Sequence, residues 1–325
     1  MFINDQDAFD RWLKSFNPSF YVGIDVEFIR KDTFFPIVCL FQISSIEETV
    51  VIDPLTVDIK PLLEKINTTD ILKLFFSGRQ DMEAIFYQYD ILLSPIFDLQ
   101  IACDFLRYRD SASLSEVILD VCHIEIDKEH QSLDWRKRPL QETAIQYAYN
   151  DAHYLIPIYK NFKKKLKEKH RYNWVLEESA VIFSQITDLG LDYFKKNFFH
   201  PKNRYLDLKR ELVLWREHYA RFKNIPRRRV YKDMVIHNMT PDTMFWDCHI
   251  PRDMFLHMTG KDVIQFQRMA KRIFKIAKQN DIPKRYMNYP FEIAKLVKSP
   301  LEKNVFLEGW RNVILKDELT TVITS

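Results

Sequence analysis

Glycine is scarce in this chain: five glycines in 325 residues. Gly23 and Gly78 are the two that sit in chemically suggestive stretches, and neither opens a phosphate-cradling loop or a dinucleotide fingerprint. That removes support for nucleotide hydrolysis and hydride transfer. Cysteine is equally sparse. Cys39, Cys103, Cys122 and Cys248 are scattered and form no Cys-x-x-Cys pair. They read as reduced thiols of a cytoplasmic protein, not as zinc ligands or a disulfide frame. No apolar run reaches membrane-spanning length, because charges and prolines interrupt every candidate. The first residues, Met1 to Asp7, lack the basic and apolar regions of a signal peptide. Internal repeats and low-complexity tracts are missing too.

What remains is a globular composition with 46% hydrophobic residues, enough for a sizeable core. At this length two domains are expected. The net charge of +3 hides a strong asymmetry. Residues 1–159 hold 14 Lys and Arg against 26 Asp and Glu, a net −12. Residues 160–325 hold 34 against 19, a net +15. An acidic half joined to a basic half suits an enzyme that binds a polyanion, although two differently charged domains without any polyanion would read the same.

Within the acidic half, Tyr21 to Phe28 reads as a buried strand carrying Asp25 and Glu27. Carboxylates two residues apart on a strand share a face. Burying them together is costly unless a cation lies between them, and Mg²⁺ or Mn²⁺ suits oxygen ligands. A solvated strand end would carry the same residues at no cost. The run Ile71 to Phe76 breaks at Ser77-Gly78, which puts Asp81 at the start of a helix, either as a ligand or as a charge on the first turn. Tyr147 and Asp151, four apart in a helical segment, project from one helical face. A phenol and a carboxylate so placed can hold a water and a metal together, or form an ordinary amphipathic face.

The order Asp-x-Glu on a strand, Asp at a helix start, and Tyr-x-x-x-Asp on a helix resembles the DEDDy branch of the 3′–5′ exonucleases. Phe28-Ile29-Arg30, Phe97 to Ala102, Ser113 through Lys128 and Leu133 to Leu140 sharpen that to ribonuclease D. The resemblance covers about residues 1–170. It departs at Phe76, where the family often has His. It implies a ribonuclease H-like mixed sheet flanked by helices. It also implies a metal-dependent 3′–5′ exoribonuclease that trims RNA, with tRNA precursors as the substrate class. By the same resemblance, Asp25, Glu27, Asp81 and Asp151 hold two divalent cations, Mg²⁺ or Mn²⁺, and Tyr147 orients the attacking water. Phe28 is a candidate to stack on the terminal base or to pack in the core. A non-catalytic RNA-binding protein on this fold and a DNA 3′–5′ exonuclease stand as alternatives. No membrane and no protein partner are implied.

Coarse periodicity predicts helices over 5–16, 58–66, 79–89, 99–107, 113–121 and 141–168, and strands near 20–27, 36–44, 48–53, 71–76 and 96–98. The lysine-rich run 160–169 reads as a solvated helix face. A helical linker over 171–203 then leads to an all-helical domain. Residues 204–281 resemble the HRDC module, a small nucleic-acid-binding domain, with Arg227, Arg228 and Arg229 as a candidate phosphate patch. Residues 282–325 are cut by Pro283, Pro290 and Pro300 and read as a degenerate second module.

Overall fold

The computed structural model describes residues 1–108, 112–126, 133–184, 186, 197, 206–238, 260–287, 290–298 and 304–315. The far end of the Ser113–Lys128 segment, most of the expected linker after residue 186, residues 239–259 of the HRDC-like stretch, Cys248 and Pro300 lie outside them. The chain divides into two compact units, Met1–Ile186 and Thr187–Ser325.

The first unit is built on a six-stranded mixed sheet in the order β1-β4-β3-β2-β5-β6. The strands are β1 (Phe2–Ile3), β2 (Tyr21–Ile29), β3 (Ile37–Ser44), β4 (Thr49–Ile52), β5 (Leu72–Phe75) and β6 (Ile96–Asp98). β2, β3 and β4 form an antiparallel meander, while β1, β5 and β6 join in parallel pairs. Of these, β1 was not expected from the sequence. Two residues are too short for a period to register, and Phe2 and Ile3 gain their strand only by pairing with Val51 and Ile52.

Helices α1 (Gln6–Ser15), α2 (Lys60–Ile66), α3 (Arg79–Tyr89), α4 (Leu99–Leu106) and α5 (Leu114–Cys122) fall where periodicity put them. Their starts have physical causes. The Asp5 carboxylate accepts the N–H groups of Asp7 and Ala8 at 3.0 and 3.2 Å. Ser113 and Glu116 form a reciprocal capping box ahead of α5. The long helix expected over 141–168 is two, α6 (Glu142–His153) and α7 (Leu155–Glu168), broken at Tyr154. Pro157 explains the break: it has no N–H to give the carbonyl of His153. α8 (Tyr172–Ser184), at the head of the stretch read as linker, is a core element of this unit. Its Phe183 ring meets Phe75 of β5 at 5.7 Å, and its Ser179 hydroxyl accepts the Asp98 N–H at 3.0 Å.

The alternation of β2 and β3 sorts side chains onto two faces. Val22, Ile24, Val26, Phe41 and Ile43 join Phe9, Trp12, Leu62, Leu63, Met82 and Ile85 in the main apolar core. The opposite face carries Gly23, Asp25 and Glu27 and is covered by α6. There a smaller cluster of Cys39, Leu40, Val51, Trp135, Ala144 and Ala148 forms.

The second unit is helical among its described residues. α9 (Leu206–Lys223), α10 (Arg227–Val230) and α11 (Asp233–Asn238) are tied by Arg216, wholly buried, which donates to the Tyr231 carbonyl at 2.8 Å and to Asp233 at 2.7 Å. α12 (Gly260–Gln279), a 3-10 turn at Lys284–Met287 and α13 (Pro290–Lys298) share buried Met269, Ile273, Ile293 and Leu296.

Candidate active site

Three elements converge on one patch of the α6-covered sheet face. β2 presents Asp25 and Glu27, two positions apart as the strand period requires. A register shift between Glu27 and Phe28 marks a bulge against β3. A bulge re-aims the side chains beside it, and here it falls at the second carboxylate. α6 presents Asp151, buried. One carboxylate oxygen from each of Asp25, Glu27 and Asp151 lies within 4.8 Å of the others. Asp81, on the first turn of α3, stands outside that trio but close enough to act electrostatically on Glu27, and Asp25 acts on it in turn.

α6 reaches the sheet at this spot because Gly23 lets it. A Cβ on Gly23 would stand 2.4 Å from the Ser44 hydroxyl and 3.0 Å from the Ala152 carbonyl. The Ser44 hydroxyl donates to that carbonyl at 2.8 Å, one residue beyond Asp151. Gly23 is thus a close-approach residue that sets the depth of Asp151.

The electrostatics are those of crowded, buried acids. Burial pushes the Asp25 carboxyl up to about 6. Glu27 is held well above the ordinary carboxylate range by burial, then by the charges of Asp25, Asp151 and Asp81. Asp81 is raised by burial, then by Asp25, Asp98 and Asp151, and Asp151 by burial, then by Asp25. The Tyr147 phenol donates to Asp151, and burial with the neighbouring charges of Asp151 and Glu27 raises its pKa. It therefore stays a protonated donor across the working range. Its ring stacks against Trp135 with centroids 6.2 Å apart and planes at 28°.

Such a set fits divalent cations on chemical grounds. The donors are hard oxygens, and no Lys or Arg is among the causes that shift these four acids. Raised carboxyl pKa values carry a stability consequence. A group whose folded pKa exceeds its unfolded value stabilises the fold below the unfolded pKa and loses that contribution as pH rises through the folded one. In chelator, the melting temperature is expected to fall as pH rises from about 4 through 6 and beyond. Mg²⁺ or Mn²⁺ is expected to raise it far more at pH 8 than at pH 5. Calorimetry at the two pH values checks this; equal metal shifts would separate the cluster from cation binding.

Three supports of the site were missed by sequence reasoning as supports, though two lie in stretches it singled out. Asp98 caps α4 by accepting the Gln100 N–H at 2.8 Å, and also accepts the N–H groups of Ser77 and Gly78 at 3.0 and 2.9 Å. It pins the turn that launches α3 and thereby Asp81. Arg138 grips buried Asp53 through two bonds of 2.5 and 2.7 Å and donates to the carbonyls of Cys39 and Trp135. That fixes the segment carrying Trp135 against Tyr147. Gln42 is the third, directly opposite Asp25 in register. A basic residue beside Trp and Pro, or an Asp ending a strand, signals capping or pairing; nothing in a lone sequence says for which helix.

The other predicted positions lie elsewhere. Phe28 is half-buried and packs against the main core. Arg227 is committed to buried Glu217, with one bond of 2.7 Å from Nη2 to Oε1. Arg228 and Arg229 are exposed.

Residues 1–167 match the family model described as 3′–5′ exonuclease. Among curated proteins, the ribonuclease D of Nitrobacter hamburgensis is 32% identical over 256 residues, 75% of this chain and 66% of that protein. The ribonuclease D of Bartonella henselae is 36% identical over 226 residues, 68% of this chain and 56% of that protein. The matched stretch thus spans about two thirds or less of these relatives' length. Among solved structures, Escherichia coli RNase D, described as an exoribonuclease involved in structured RNA processing, superposes with a TM-score of 0.81 at 19% identity. The match covers 100% of this chain and 98% of that one. The catalytic core of RRP6 from Trypanosoma brucei gives 0.53 at 18% identity, covering 99% and 78%. These two likenesses speak to fold.

Proposed function

The chain belongs to the 3′–5′ exonuclease family, in its ribonuclease D group, and from that premise we propose that it hydrolyses RNA one nucleotide at a time from the 3′ end. The observation that carries the reading is the convergence of Asp25, Glu27 and Asp151 within 4.8 Å, with Asp81 beside them.

Asp25, Glu27, Asp81 and Asp151 would hold two divalent cations, Mg²⁺ or Mn²⁺. When bound, these supply neutralisation of the scissile phosphate and of the departing 3′ oxygen, and acidify the attacking water. The chain's own groups do the rest. Asp151 fixes the Tyr147 phenol by accepting its hydrogen bond, and Tyr147 in turn presents its oxygen to the water and orients it for in-line attack. Trp135, behind the phenol, keeps the ring from swinging. Gly23 and Ser44 set how deep Asp151 stands. Ionised carboxylates are needed throughout, so neutral to mildly alkaline pH favours activity.

Residues 187–325 hold 27 Lys and Arg against 16 Asp and Glu, a net +11, which supports a second unit that grips the RNA backbone, with structured tRNA precursors as the substrate class. Cys39 and Cys103, buried thiols, and the lack of a helix long and apolar enough to cross a membrane among the described residues fit a cytoplasmic enzyme. Arg228→Ala with Arg229→Ala in the full chain should weaken tRNA binding and flatten its salt dependence, each lost phosphate contact lowering the log–log slope by about 0.7–0.9. Arg227 is best left in place, because its loss would strand the buried Glu217 charge. Affinity across a salt series decides; an unchanged slope would mean these arginines face water only.

The activity itself is tested with labelled RNA and DNA oligomers, free or blocked at the 3′ end, in Mg²⁺, Mn²⁺ or EDTA. Stepwise loss of 3′ nucleotides from free RNA, abolished by blocking or by EDTA, is the expected result. DNA degraded as fast as RNA would reassign the substrate, and binding without cleavage in any metal would leave a non-catalytic RNA-binding protein.

A further inference from the structure

Gln42 sits in the middle of β3, opposite Asp25 on β2 and Val51 on β4. Directly paired residues of antiparallel strands point to the same face, with Cβ atoms about 4.5–5.5 Å apart. Its side chain is 0% exposed, and neither Nε2 nor Oε1 has a hydrogen-bond partner among the described residues. A buried amide left so is costly, and native folds keep few of them. The surroundings narrow its use. Val51 and, two positions along β3, Leu40 offer no polar side-chain atom. Ser44, on the other side, spends its proton on the Ala152 carbonyl and keeps only a neutral acceptor oxygen, a weaker partner for an N–H than a carboxylate. The charged member of this cross-strand row is Asp25. A backbone hydrogen bond from Val26 occupies part of the Asp25 carboxylate, whose two oxygens have room for about four partners.

We propose that Gln42 is a positioning residue: its amide, without a partner among the described residues, turns Nε2 onto the Asp25 carboxylate when a cation is bound and fixes which oxygen faces that cation. Ligands of a metal are oriented by the hydrogen bonds on their far side, and their loss typically costs 10–100-fold in metal affinity or activity. A glutamine suits the place for a reason of charge. A Lys or Arg at Gln42 would neutralise Asp25, and a Glu would add another negative group to an already crowded cluster. A neutral donor holds the carboxylate without altering the site's charge. The inference rests on the metal reading above, and its test separates the two.

The probe is Mn²⁺ alone, titrated calorimetrically into wild type, Gln42→Met, Gln42→Leu and Asp25→Asn, with melting in EDTA and RNA kinetics on the same preparations. Both Gln42 variants keep an apolar side chain of similar size in the row, so either serves if the other fails to fold. The expected result is Mn²⁺ affinity weakened 10–100-fold in Gln42→Met. RNA KM should stay within about two-fold of wild type at saturating Mn²⁺, and melting in EDTA should be unchanged or raised, since no amide is then buried unpaired. Mn²⁺ affinity within two-fold of wild type in both Gln42 variants, while Asp25→Asn loses it, would overturn the role of Gln42 and leave the metal site standing. Affinity retained in Asp25→Asn as well would overturn the metal site itself.

Discussion

Asp25→Asn or Asp151→Asn is expected to abolish hydrolysis, by about 10³-fold or more, a barrier increase of roughly 4 kcal/mol. The two variants remove one ligand charge each from a group whose oxygens lie within 4.8 Å. A cation is then lost or misplaced, and the scissile phosphate keeps its charge. The same substitutions relieve repulsion that raises Glu27 and Asp81. Melting in EDTA should therefore hold or rise at pH 8 while activity disappears. That opposition of signs is the useful readout. A variant that lost activity and stability together would be a misfolded protein, and one fully active in Mg²⁺ would defeat the assignment.

Tyr147→Phe should slow cleavage by about 10²-fold or more, in the range of a lost positioning or proton-transfer group. Metal affinity should change little. The substitution keeps the ring against Trp135 and deletes only the hydroxyl that donates to Asp151. The loss should appear in kcat, with RNA KM near wild type, because the phenol acts on the attacking water and not on the bound strand. A metal titration in which Tyr147→Phe fails as badly as Asp25→Asn would make the phenol a support of the ligand Asp151.

Much of the first unit was legible because strands and helices announce themselves by period. The carboxylates of β2 were placed on one face by spacing alone, and the structure sets them on the α6-covered face. Which elements would meet was not legible from spacing. That Asp151 reaches Asp25 depends on Gly23 and Ser44: a Cβ on Gly23 would stand 2.4 Å from the Ser44 hydroxyl and 3.0 Å from the Ala152 carbonyl of α6. The break between α6 and α7 is written in Pro157, which the strong helical pattern on either side of it masks. β1 could not be seen, since its two residues are strand only by pairing with β4. α8 looks like any amphipathic linker helix until Phe183 and Ser179 are seen on β5 and β6. Gln42 carried no signal at all: a single glutamine in an apolar strand reads as an imperfection until its cross-strand partner is known. Arg227 shows the opposite failure, a basic run that looked free and is partly spent on Glu217.

The central claim is that these four carboxylates hold the cations that drive hydrolysis. Crystals soaked in Mn²⁺ at a concentration that supports RNA cleavage would test it most directly, by anomalous difference maps. Two peaks about 3.5–4 Å apart, bounded by Asp25, Glu27, Asp81 and Asp151, are the predicted result. Maps with no manganese against Asp25 and Asp151, from crystals whose dissolved protein still trims RNA in the same solution, would contradict it.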